Sequence, residues 1–226
     1  SEGLELRLSN SAINGNAATD NAAITYIGQT LGITNRENGV ITFRNAGDER
    51  MRIDSSGRLL IGTATNTFTG VGSSRLQISG TGADTAGANF IRTSNDSGGA
   101  FLQFTKNRGA ATQSGDTVGA ISWMGHDGTD TESYFALISV HAEANASNNN
   151  TQGSIRFGTS NGSSITSERM RIDPSGNVGI GASSITANTN YSTLQIQGKA
   201  STGGGILRLM TADGSTSKAM IFADTA

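Results

Sequence analysis

One phrase is written twice in this chain. Residues 49–62 read ERMRIDSSGRLLIG and residues 168–181 read ERMRIDPSGNVGIG, with ten of fourteen positions identical and start points 119 residues apart. In an extended strand, Met51 and Ile53 fall on one face and Arg50, Arg52 and Asp54 on the other. The next three residues read as a turn. Pro174 suits its second position, and Gly57 and Gly176 can take positive φ without steric cost. A strand then restarts. The phrase predicts a hairpin with one apolar face and one arginine–aspartate face, a structural joint whose charged row can bridge neighbouring strands or chains.

The repeat is larger than this phrase. SSRLQISG (73–80) follows the first copy and YSTLQIQG (191–198) the second. GVITFRN (39–45) and GSIRFGT (153–159) precede them. A third feature has two apolar runs around a Thr/Asn/Asp/Gly turn, and it recurs at 4–28, 87–104 and 204–222. These landmarks divide the chain into the end of one module (1–63), a full module (64–182) and the start of a third (183–226). The chain is therefore expected to begin and end inside a repeat, as a piece of something longer. A period above 100 residues is too long for a solenoid coil of 20–50.

The remaining segments read as strands as well. GAISWMGHD (119–127) and YFALISVHA (134–142) have strand length and bounding turns. DGTDTE (127–132) is a turn between them, and EANASNNNTQG (143–153) a longer hairpin loop. No stretch carries a 3.6-residue apolar stripe. The fold class expected is all-β, built of repeated antiparallel meander modules.

Composition decides whether one copy suffices. Only 35% of residues are hydrophobic and 5% aromatic, with 31 glycines and one proline. Burying a large side chain contributes roughly 1.5–3 kcal/mol, against about 1–2 kcal/mol to order each residue's backbone. A thin meander with open edges is marginal alone. Well-phased β-branched and aromatic runs argue against disorder. Identical chains associating around an axis would cover faces and edges together, and Gly, Ala, Ser and Thr let backbones approach closely there. Symmetry alone does not set their number. A net charge of −2 and a pI near 5.7 provide no basic surface for nucleic acid. Thirteen of sixteen basic residues are Arg, which favours fixed ion-pair geometry. There is no cysteine, hence no disulfide or thiolate metal site. No apolar run approaches the ~20 residues of a membrane span, and no signal-peptide pattern opens the chain.

Candidate chemistry is sparse. His126, Asp127 and Asp130 can be read as a metal or sugar-binding loop, but Asp-Gly is common in hairpin turns for backbone reasons, and the turn reading is preferred. His141, fifteen residues on and expected on the adjacent strand, is a possible near neighbour of His126; two histidines with loose carboxylates fall short of a zinc pattern. Glycosidase chemistry needs two carboxylates across a cleft, and with eighteen acids a pair by itself carries no signal. No G-x-S-x-G elbow has a credible partner set. STSK (215–218) lacks companion motifs, and GTGADTAG (80–87) has the wrong spacing for a dinucleotide fingerprint. The Asn-x-Ser/Thr triplets at Asn95, Asn145, Asn149, Asn161 and Asn190 are what such a composition yields by chance. Trp123 is assigned to packing rather than sugar stacking.

The combination ERMRID-[SP]-S-G-x-[LV]-x-I-G, then LQI-x-G and apolar strand pairs, resembles the shaft repeats of tail fibres and other appendages of tailed bacteriophages. The resemblance covers both signatures and, more loosely, the strands between them. It implies an elongated homotrimer of interwoven or closely packed β-structure with a role in host attachment, often upstream of a self-cleaving chaperone domain. Residues 199–226 read instead as the start of another repeat. The function expected is a structural and adhesive segment, not an enzyme, without catalytic residue, metal or cofactor, and with no receptor-binding residue assigned. Loop 143–153 and turn 127–132 are where receptor contact would fall. Expected partners are two further copies, other virion tail proteins and a host-surface glycan or protein, without nucleic acid or membrane insertion. The location implied is the virion, and the host cytoplasm during assembly. The alternative is a carbohydrate-binding or polysaccharide-degrading, tailspike-like domain. A surface adhesin or ice-binding protein is a third class, but its flat threonine ladders are not seen.

Overall fold

A computed structural model of the chain describes residues 4–8, 22–27, 29–35, 38–66, 74–82, 85–129, 132–147, 150–162, 166–198, 203–210 and 217–222. The described elements are all strands, so the all-β expectation holds. They belong to two compact units, Ser1–Thr93 and Ser94–Ala226.

The first unit contains two sheets. β1 (Leu4–Leu8), β2 (Ala22–Ile27) and β3 (Thr30–Asn35) form an antiparallel meander. β4 (Ile41–Asn45), β5 (Asp48–Ile53), β6 (Leu59–Ile61) and β7 (Leu76–Ile78) form a four-stranded sheet in chain order. The second unit has a six-stranded sheet, with β8 (Thr117–Gly125), β9 (Ser133–Ala142), β10 (Gly153–Thr159), β11 (Ser167–Ile172), β12 (Val178–Ile180) and β13 (Leu194–Ile196) also in chain order. A separate hairpin pairs β14 (Ile206–Met210) with β15 (Ser217–Phe222).

Both signature copies build the same local sheet. In the first, Phe43, Met51, Ile61 and Ile78 form one cross-strand row, and Thr42, Arg52, Leu60 and Gln77 the next. In the second, the rows are Phe157, Met170, Ile180, Ile196 and Arg156, Arg171, Gly179, Gln195. Alternation puts the apolar row on one face and the arginine row on the other.

Three details depart from the sequence reading. The LQI strands do not continue the meander: each pairs parallel with the strand before it. Parallel pairing needs a crossover, and residues 62–75 and 181–193 provide one without a helix among their described residues. Second, Arg50 and Arg169 do not join the arginine row. A bulge falls between Phe43 and Arg44 and, equivalently, between Phe157 and Gly158. The extra residue loses its cross-strand partner. Glu49 and Glu168 thereby come to lie beside Arg52 and Arg171, and Arg50 turns to the exposed Asp48 at 3.0 Å. Third, residues 87–104 form no strand, although the matching layouts at 4–27 and 206–222 form hairpins.

Burial is inverted relative to an ordinary sheet protein. Among the described residues the buried apolar side chains are Leu60, Ala142 and Ala182, while Ser139, Ser154 and Asn177 are buried polar ones. Ile121, Trp123, Val140, Ile155, Ile180 and Leu194, spread over the apolar face of the six-stranded sheet, remain substantially exposed.

Candidate functional site

The turn after β8 is built by backbone satisfaction. Asp127 accepts from Thr129 N at 2.8 Å and from Ser133 Oγ at 2.8 Å; His126 Nδ1 accepts from Gly128 N at 2.9 Å. Gly128 takes a φ of 103°, which suits glycine. Asp130 lies outside the described residues. His141 is on the adjacent strand as expected, but it is no neighbour of His126. It pairs with Thr117 at one end of the ladder, whereas Gly125 pairs with Ser133 at the other. At about 3.3 Å per residue, this separates the histidines by roughly 25 Å. Among the described residues no group of three His, Asp, Glu or Cys is placed to hold a metal ion, and no helix is long and apolar enough to cross a membrane.

Loop 143–153 is pinned to its surroundings. Ala146 N donates to Thr112 O at 2.7 Å, Ser114 N to Asn145 Oδ1 at 2.9 Å, and Glu143 N to Gln152 O at 2.9 Å. Residues 148 and 149, at its tip, lie outside the described residues. Trp123 stands half-exposed in the Ile121–Trp123 row rather than inside a core, so within one chain its packing role is unfulfilled. STSK overlaps the start of β15. Asn190 has a φ of 67°, in a turn where Tyr191 N donates to Asn188 O. Asn149 lies outside the described residues.

The most connected polar site is one that sequence reasoning did not single out. It lies on the arginine face of the six-stranded sheet. Arg156 and Arg171 stand directly opposite one another, a repulsive pairing by itself. Glu143 and Glu168 relieve it. Arg156 reaches Glu143 at 2.7 Å and Glu168 at 3.6 Å; Arg171 reaches Glu168 at 2.6 Å and Glu143 at 3.9 Å. Ser154, wholly buried, donates to Glu143 Oε1 and accepts from Arg156 Nε at 3.1 Å. His141 Nε2 closes the edge of the network, 2.9 Å from the buried Ser139 Oγ. The bonds from Ser154 and Arg156 hold the Glu143 carboxyl below its ordinary range. Burial, then Arg156, lowers His141. One signal was available in the sequence: Ser154 and Arg156 alternate onto one strand face. Glu143 sits beyond the end of β9, where periodicity gives no guidance.

The crossover covers the far end of this face. Ile185 packs over Gly179, where a Cβ would come within 3.0 Å of it, and Gln195 accepts from Thr186 N at 2.8 Å. The signature turns complete the frame. Asp54 accepts from Ser56 N, Arg58 N and Arg58 Nε at 2.9, 3.0 and 2.7 Å; Asp173 accepts from Ser175 N, Asn177 N and Asn177 Nδ2 at 2.9, 2.8 and 3.0 Å. The backbone bond from Arg58 leads in lowering Asp54. At Asp173 burial opposes the charge, but the three bonds together outweigh it and lower the carboxyl.

Chemically this arrangement is a clamp. A general acid needs a carboxyl raised towards neutrality, and Glu143 is displaced the opposite way. Its Oε1 is shared by Ser154, Arg156 and Arg171. What the network can do is hold strands β9, β10 and β11 in register.

No protein-family model and no curated protein matches the sequence. Solved structures similar to it include two of a phage tail fibre. One is the carboxy-terminal domain of the bacteriophage T5 L-shaped tail fibre, 18% identical, covering 89% of this chain and 86% of that one, with a TM-score of 0.47. The other is the same domain with its intra-molecular chaperone domain, 16% identical, covering 83% of this chain and 56% of that one, also with a TM-score of 0.47.

Proposed function

We propose that this chain is a non-catalytic structural segment of a phage tail fibre or virion appendage, working as a homotrimer that takes part in host attachment. The observation that carries the reading is exposed apolar surface. Among the described residues, Ile121, Trp123, Val140, Ile155, Ile180 and Leu194 stand open on one face of the six-stranded sheet, and Phe90, Ile91, Phe101, Leu102 and Phe104 stand open in the segment before it. Apolar surface gathered in this way marks an interaction site, while the opposite face of the same sheet is closed by ion pairs.

The repeated ERMRID hairpins supply the frame of each module. The chain resides on the virion after assembly in the host cytoplasm, joined to other tail proteins, and a host-surface glycan or protein is its outward partner. Immunogold electron microscopy tests the role, using antibodies against the purified chain and virions from the genome that encodes it. Label along a tail appendage is expected. Label on the capsid, or none on intact particles that contain the chain, overturns the assignment.

A further inference from the structure

Residues 87–104 differ from the rest of the chain in one respect. They are strand-forming in sequence, yet they make no backbone-to-backbone hydrogen bond with any described residue. Local side-chain hydrogen bonds are among those they make, Ser94 and Gly98 N to Asp96 and Gln103 to Thr105. Phe90, Ile91, Phe101, Leu102 and Phe104 are all strongly exposed, Phe101 at 77% and Ile91 at 76%. Backbone groups shielded from water need partners, and so many apolar side chains in so short a run exceed what a monomer surface normally leaves open.

The same two-run layout closes on itself at β1–β2 and β14–β15. Its partner in the middle copy is therefore sought elsewhere. β8 is an edge of its sheet and, at nine residues, the longest edge strand among the described residues. Long, apolar edges are the ones that recruit another strand. Within one chain the segment touches β8 without forming a ladder on it. Phe104 lies against Gly119, where a Cβ would come within 2.6 Å of it. The connection that follows is tied down by Arg108–Asp116 at 2.7 Å and by Ala146 N to Thr112 O. No ladder forms, and Ile121 and Trp123 stay open.

We infer that residues 87–104 are an exchanged element: their apolar runs pair with the β8 edge of a second copy of this chain and cover its Ile121 and Trp123. This rests on the self-association proposed above and specifies how it is made. The five exposed apolar side chains of the segment, with the exposed Ile121 and Trp123 beside the β8 edge, are the surfaces such a contact would cover.

The absence of cysteine and the open positions of the segment make a site-specific test clean. Two versions are co-expressed, one carrying a photoreactive phenylalanine analogue at position 101 and the other an affinity tag. Assemblies are purified by the tag, irradiated and mapped by mass spectrometry. A covalent link from position 101 to residues 117–125 of the tagged copy is expected. If the substitution at 101 prevents assembly, the probe moves to position 103. Assembled particles whose links stay within one chain, or reach another region of the second copy, overturn the exchange and leave the trimer standing. A protein that is monomeric by light scattering overturns both.

Discussion

The two signature sheets, β4–β7 and β10–β13, share a backbone and differ in filling. Their pairing, bulge position, parallel last strand and turn hydrogen bonds coincide. What changes is the arginine face. Leu60 is fully buried in the first, where the second has Gly179 with Ile185 packed over it. Thr42 stands where the second has Arg156, and Arg44 where it has Gly158. Arg44 reaches Glu49 at 3.7 Å, so a second arginine is retained but moved two residues along the strand. The residues in common are thus those that set backbone geometry, and those that vary exchange volume or charge with a neighbour. A module of this kind can diverge in contents while its neighbours still dock on the same frame.

The largest effects should come from the closing glycines. Gly62 and Gly181 take φ of 74° and 70°, and the parallel strand runs against them: an added Cβ would lie 2.1 Å from Ser79 O and 2.7 Å from Gln197 O. Gly62→Ala should cost about 3–5 kcal/mol and Gly181→Ala about 2–3 kcal/mol by denaturant unfolding. Equal, small effects would break the claim that close approach selects these glycines. Leu60→Ala comes next, at about 2–5 kcal/mol for the cavity left behind. The complementary change, Gly179→Leu, should destabilise by about 1–3 kcal/mol through overpacking, and a simultaneous Ile185→Asn should recover part of it. If the second change adds its own loss instead, the volume exchange is not real.

The turn carboxylates give a smaller and more even effect. Asp54→Ala and Asp173→Ala should each lower the melting temperature, less than Leu60→Ala does and by similar amounts in the two copies. Acid should separate the units most gently. His141 is depressed in the folded state, so the unfolded chain binds its proton first and stability falls as pH drops below about 6.5. Glu143 is also depressed; its contribution is complete above its unfolded value and declines only as pH falls further, through the carboxylate range. Both histidines lie in the second unit. Amide exchange should therefore show β9–β11 loosening as pH falls below about 6.5 while β4–β6 do not, and His141→Gln should remove the difference. Nuclear magnetic resonance titration of His141 above its ordinary value would contradict it.

Much of the frame was legible from residues alone. The Asp-x-Ser-Gly turn, the positive φ of Gly57 and Gly176 and the apolar Met51/Ile53 face follow from local chemistry. The bulge at Arg50 was not, because strict alternation assumes an unbroken ladder and nothing local marks the extra residue. The parallel LQI strand was missed for a related reason: a three-residue strand carries no direction in its sequence, and the crossover that sets it has no helical pattern. Residues 87–104 look like a hairpin by composition, yet pairing depends on what edge is available, which a single chain's text does not contain. The Glu143 network was hidden because it joins three strands through a residue outside any period.

The central claim is that identical copies together supply the apolar contact that one copy lacks. Light scattering coupled to size-exclusion chromatography tests it most directly on the purified chain. The account expects a single species of about 70 kDa, three times the 23.2 kDa chain. A stable, cooperatively folded species of 23.2 kDa at micromolar concentration would contradict it.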